Sequence, residues 1–103
     1  SIYYWDSLNK TGTLEMQIEA QEAATELLLE HENICVFSFF DEYEMICNPD
    51  NYLDILHFGE EINSQMLKWI CAGEHLLTKD NYEQYYNKIR EYYINYDYEG
   101  LWE

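Results

Sequence analysis

The residues of this chain that can do chemistry are overwhelmingly carboxylates. Asp and Glu number 21 against 5 Lys and Arg, giving a net charge of −16 over 103 residues. Five glutamates, Glu15, Glu19, Glu22, Glu26 and Glu30, follow one another at intervals of 4, 3, 4 and 4. Such intervals put side chains on one face of an α-helix, so the five form a stripe. At a rise of about 1.5 Å per residue the stripe runs about 22 Å, roughly one charge per 5 Å. One DNA strand carries a phosphate about every 3.4 Å, a density of the same order. A rigid row of that pitch suits a groove built for a phosphate backbone. Its chemistry is the acceptance of charge-assisted hydrogen bonds from Arg and Lys.

A second acidic cluster is Asp41, Glu42 and Glu44. Asp97, Glu99 and Glu103 make the tail acidic as well. Between Thr11 and Leu67 there is no Lys or Arg, although those 57 residues hold 13 acids. A generic solvated surface mixes both signs, because opposite charges at i,i+4 help and like charges cost a few tenths of a kcal/mol. The imbalance disfavours direct binding to nucleic acid or to an anionic membrane. It favours a basic protein partner.

These carboxylates need elements to hold them. Thr11 or Thr13 can cap a helix running to about Glu32, with Leu14, Ile18, Ala24, Leu27 and Leu28 at helical spacing. A second long helix is expected from about Glu60 to Leu77, its apolar face formed by Ile62, Met66, Trp69, Ile70 and Leu77. A third is expected from Asn81 to about Tyr96. Ile34 to Phe40 is rich in β-branched and aromatic residues and reads as a central strand. Asp41-Glu42 then turns the chain, and Tyr43 to Cys47 reads as the return strand. Ile2 to Trp5 reads as a strand or packed arm, and Tyr52 to Phe58 as a short helix. The expected fold class is α+β, three main helices packed on a small antiparallel sheet, in one domain spanning residues 1–103.

Other chemistries find less support. Cys35, Cys47 and Cys71 sit in apolar sequence without basic neighbours, which favours buried, inert thiols. Ser38 lies inside the strand run, without the turn that exposes a nucleophilic serine. His31, Cys35, Cys71 and His75 supply two Cys and two His, but structural zinc sites show tight Cys pairs that are missing here. No catalytic residue, metal ligand or cofactor is therefore expected. No apolar run approaches the length of a transmembrane helix, and Ser1 to Lys10 does not read as a signal peptide. The expected location is a cytoplasm.

The chain also has eleven tyrosines. Tyr82, Tyr86, Ile89 and Tyr93 share helical spacing and read as core. Tyr85, Tyr92, Tyr96 and Tyr98 exceed what one buried face needs. Tyrosine adds contact area at low entropy cost, so Tyr85, Tyr92 and Tyr96 are candidate partner contacts beside the carboxylates.

With its Glu15–Glu30 stripe and its Asp41-Glu42-Tyr43-Glu44 turn, the chain resembles the small acidic phage proteins that mimic DNA. These include anti-restriction proteins and several anti-CRISPR proteins. The resemblance implies a non-enzymatic inhibitor, monomeric or homodimeric, acting in the cytoplasm of a bacterial host. Its partner would be a Cas effector or a restriction enzyme, blocked at its DNA-binding or PAM-reading surface, where Arg and Lys meet bases and phosphates. Two other readings share the acidic face: an immunity protein or antitoxin neutralising a nuclease toxin, and an acidic interaction adaptor.

Overall fold

The computed structural model describes residues 1–102, so the expected contribution of Glu103 to the acidic tail lies outside the described residues. It is a mixed fold of five helices and one two-stranded antiparallel sheet. The helices are α1 (Ile2–Thr11), α2 (Leu14–Leu29), α3 (Tyr43–Cys47), α4 (Glu60–Cys71) and α5 (Tyr82–Ile94). The strands are β1 (Val36–Phe37) and β2 (Leu76–Leu77), paired Val36 to Leu77 and Phe37 to Leu76. Two 3₁₀ turns, Pro49–Asn51 and Tyr98–Trp102, complete the order. Four of the helices exceed two turns, so the count of three main helices was one short.

The extra helix is α1, where a strand or arm is expected. Ser1 caps it by accepting the Tyr3 N–H at 3.1 Å, and Lys10 pairs with Asp6 one turn earlier at 2.9 Å. Ile2 and Trp5, three residues apart, are both buried. Trp5 stacks on Tyr93 at 4.9 Å and meets Phe40 edge-on at 5.3 Å. Burial of those rings outweighs the β-preference of an aromatic run. Gly12, at φ +74°, ends α1 in the left-handed conformation that glycine adopts without strain.

The strand run shrinks for a related reason. Only Val36 and Phe37 pair with β2, and Phe39 and Phe40 pack against the core instead. Tyr43–Cys47 is α3, not a return strand. Met45 and Ile46 are neighbours in sequence and both buried, which a helix allows and an alternating strand does not. Tyr52 to Phe58 is a looped-back segment closed by a Tyr52–Phe58 bridge, not a helix. The second long helix, expected to reach Leu77, ends early, at Cys71. Gly73 (φ +72°) and His75 (φ +65°) reverse the chain, so Leu77 reaches the core from β2.

The core joins α1, α2, α3 and α5 through Ile2, Trp5, Leu14, Ile18, Ile46, Ile89 and Tyr93. α2 and α5 pack along their lengths, whereas α4 buries no residue fully. The molecule is flat, 45 × 31 × 17 Å, about two helix layers thick. Much apolar surface therefore stays at the rim. Cys35 and Cys71 are exposed, contrary to the expectation from their apolar neighbours, and Cys47 is half-buried. No helix among the described residues is long and apolar enough to cross a membrane.

Candidate functional site

α2 carries the glutamate row as its spacing dictates. Leu14, Ile18 and Thr25 face the core, and the Thr25 hydroxyl is 2.9 Å from the Tyr86 hydroxyl of α5. The row lies to one side of that buried face. Glu15, Glu19, Glu26 and Glu30 are exposed. Glu22 is different: Arg90 of α5 donates to it at 3.0 Å, and both side chains are about three-quarters buried. Glu22 therefore ties α2 to α5, and four carboxylates of the row make no ion pair among the described residues. Lys79 shares a shallow groove with Glu26, Glu30, Tyr82 and Glu83. Among the described residues, no cation comes within ion-pair distance of Glu15, Glu19, Glu26 or Glu30. Tyr82 of α5 lies beside the row. Its hydroxyl pKa is raised, first by desolvation and then by the charge of Glu26.

The second cluster divides. Asp41 and Glu42 approach opposite nitrogens of His75, Asp41 at 3.3 Å from Nδ1 and Glu42 at 3.0 Å from Nε2. The contacts are ion pairs only with a protonated imidazole, and the buried Asp41 Oδ1 has no hydrogen-bond partner. His75 also packs against Phe39 (5.1 Å) and Trp69 (4.8 Å). Asp41 and Glu42 thus hold the β2 turn against the segment after β1. Glu44, in the first turn of α3, points to solvent.

Of the three tyrosines expected at a partner surface, Tyr85 is buried. Its hydroxyl accepts the Phe40 N–H at 3.0 Å and meets the Ser38 hydroxyl, and burial raises its pKa. It is a core tie and offers no contact surface. Tyr92 is half-buried, stacked on Tyr43 at 3.8 Å, with its hydroxyl 3.6 Å from Cys47 Sγ. Burial, then Cys47, raises its pKa. Tyr96 is half-buried between Tyr92 and Tyr98, and burial pushes its hydroxyl up to about 12. Tyr98 is buried and donates to the Tyr93 carbonyl at 2.6 Å. The hydroxyls of Tyr85 and Tyr98 fasten backbone inside the fold, whereas that of Tyr92 meets a side chain. Tyr93 on the Phe40 carbonyl (2.5 Å) and Tyr52 on the Ile46 carbonyl (2.5 Å) are further backbone ties.

Ser38, Asp41 and His75 line one pocket of about 350 Å³ with Tyr85 and Lys88. Their types are those of a hydrolytic triad, but their contacts are not. Both imidazole nitrogens face carboxylates, and the Ser38 hydroxyl is engaged by Tyr85, so the serine has no base. Among the described residues, no three His, Cys, Asp or Glu side chains cluster as a metal site requires.

Two ties between distant parts of the chain are not legible in the sequence. Asp6, 3% exposed, accepts from Lys10 and from the Trp102 indole at 3.0 Å, which joins the two ends of the chain. The contacts of His75 with Asp41 and Glu42 carry no local signal, because those carboxylates lie more than thirty residues away. No protein-family model, curated protein or solved structure matches this chain.

Proposed function

We propose that the protein is a non-enzymatic inhibitor that offers the α2 carboxylates to the DNA-binding surface of a bacterial defence nuclease, a CRISPR effector or a restriction enzyme. One observation carries this reading. Glu15, Glu19, Glu26 and Glu30 stand in line on one rigid helix, exposed, with no cation of the protein itself within ion-pair distance among the described residues. Left unmatched, such a row costs stability through self-repulsion. A partner's Arg and Lys would relieve it, and electrostatic steering would speed their encounter.

Order of addition tests the proposal. Plasmid cleavage is measured with Cas9–guide complexes and with restriction enzymes. Protein added before the plasmid should block cleavage by a susceptible enzyme, and protein added after DNA has bound should block it weakly. The reading fails if no enzyme of either class is inhibited, or if inhibition ignores the order of addition. Protection against a nuclease toxin instead would favour the immunity or antitoxin alternative.

A further inference from the structure

The face of α2 directly opposite its buried one carries no charge. Met16, Ala20, Ala23 and Leu27 lie opposite the buried Leu14, Ile18 and Thr25, and all four are exposed. Met16 is 66% and Leu27 63% exposed. Ala24 and Leu28 (41% exposed) extend this apolar crest along one flank. The Glu15, Glu19, Glu26 and Glu30 row borders the other. In a chain of net charge −16, the outward face of the longest helix is the expected place for carboxylates. Here they stand to one side of an apolar ridge.

The crest does not end in open solvent on its neutral flank. Ala24 lies in the wall of an apolar cavity of about 320 Å³, with Phe37, Phe58 and Met66. A volume of that size accepts one large apolar side chain. The three alanines keep the crest low, which lets another helix approach at the usual 8–10 Å interaxial distance.

We infer that the crest of α2 is a docking surface for an amphipathic, basic α-helix of the partner protein. The apolar ridge of that helix lies on Met16, Ala23 and Leu27. Its Lys and Arg flank lies on the glutamate row, and one anchor side chain enters the cavity beside Ala24. Charge selects this occupant over a second copy of the chain, which would bring another −16 to the same face. The inference rests on the proposed acidic docking of a basic partner. It adds that binding has an apolar half and requires helical periodicity in the partner.

Model peptides separate the two halves. Three fluorescent probes of about 16 residues match the length of α2. One is a Leu–Lys helix with all Leu on one face. One is its scrambled isomer, with the same charge and no apolar face. One is the Leu–Glu analogue. Binding is read by anisotropy at 0.15 M and 0.5 M salt. The Leu–Lys helix should bind about tenfold or more tighter than its scramble, as burial of two or three aliphatic side chains allows. That preference should vanish in Met16→Gln/Ala23→Gln/Leu27→Gln, whose substituted positions are exposed and whose helix should persist by circular dichroism. The salt-dependent binding of the scramble should survive in that variant and fall in Glu15→Gln/Glu19→Gln/Glu26→Gln.

Equal binding of helix and scramble overturns the crest and leaves the acidic reading standing. Absence of salt-dependent binding to either cationic peptide overturns both. Binding of the Leu–Glu helix as tight as that of Leu–Lys shows a purely apolar surface and contradicts the proposed partner. A wild-type dimer in sedimentation that the crest variant dissociates assigns the face to a second copy and overturns the inference.

Discussion

The carboxylates of α2 and those of the 41–44 turn share one chemistry, and the fold uses them in opposite ways. Asp41 and Glu42 approach the two ring nitrogens of His75 from within the fold, and that ring packs against the Phe39–Trp69 stack. The same segment is fastened by tyrosine hydroxyls, Tyr85 on the Phe40 N–H and Tyr93 on the Phe40 carbonyl. On α2, among the described residues, Glu22 is answered by Arg90 and the other four glutamates of the row have no cation within ion-pair distance. The turn is therefore part of the scaffold and the row is surface. An acidic residue's place in sequence does not say which it is; the presence of a basic side chain across the fold does.

Titrating the tyrosines breaks the contrast most completely. Burial pushes Tyr52 and Tyr96 up to about 12 from an ordinary value near 10, and raises Tyr85, Tyr93 and Tyr98 as well. Between about pH 10 and 12 the unfolded chain loses these protons and the native chain keeps them, so stability is full below pH 10 and falls above it. Tyrosine ionisation and loss of helix should coincide in one cooperative alkaline transition. Tyrosinate absorbance that rises well before the circular dichroism changes would show hydroxyls free of the fold.

A smaller and local break is His75→Ala. It removes the imidazole from beside Asp41 and Glu42 and a ring that packs against the Phe39–Trp69 stack. Denaturant unfolding should show a loss of about 1–3 kcal/mol, with inhibition of a susceptible nuclease retained. Arg90→Ala should cost less, about 1 kcal/mol, since the pair is partly solvated. It frees Glu22 to rejoin the row, so inhibition should persist or strengthen. The smallest effect is that of salt. Screening over about 8–10 Å at 0.1–0.15 M should raise the melting temperature by a few degrees, and in Glu15→Gln/Glu19→Gln/Glu26→Gln by less. A melting temperature that falls as salt is raised would remove self-repulsion from the picture.

Periodicity made α2 and α5 legible, because Leu14, Ile18, Tyr86, Ile89 and Tyr93 recur at helical intervals and are buried in the structure. It also placed the glutamate row on one face. It did not place Leu27 and Leu28, which share the spacing of core residues but emerge on the water side. Local propensity misled at Ile2–Trp5 and Tyr43–Cys47. There long-range packing of Trp5 against Tyr93, and of Met45 and Ile46 into the core, chose helix over strand. The pairing of β1 with β2 spans some forty residues and two amino acids per strand, too short for an alternating pattern to register. The roles of Glu22, Asp41, Glu42 and Tyr85 depend on Arg90, His75 and Phe40, and no local window contains those pairs.

The docking role of the row is tested most directly by affinity for an inhibited nuclease, wild type against Glu15→Lys/Glu19→Lys/Glu26→Lys. The three positions are exposed and unpaired, so circular dichroism and melting temperature should hold or improve. Reversal places like charges against the partner's Arg and Lys, and Kd should weaken by about a hundredfold or more at 0.15 M salt, with the salt dependence of the on-rate reduced. A folded variant that binds and inhibits within about twofold of wild type, a free-energy change smaller than one good hydrogen bond, would contradict a docking role for the row.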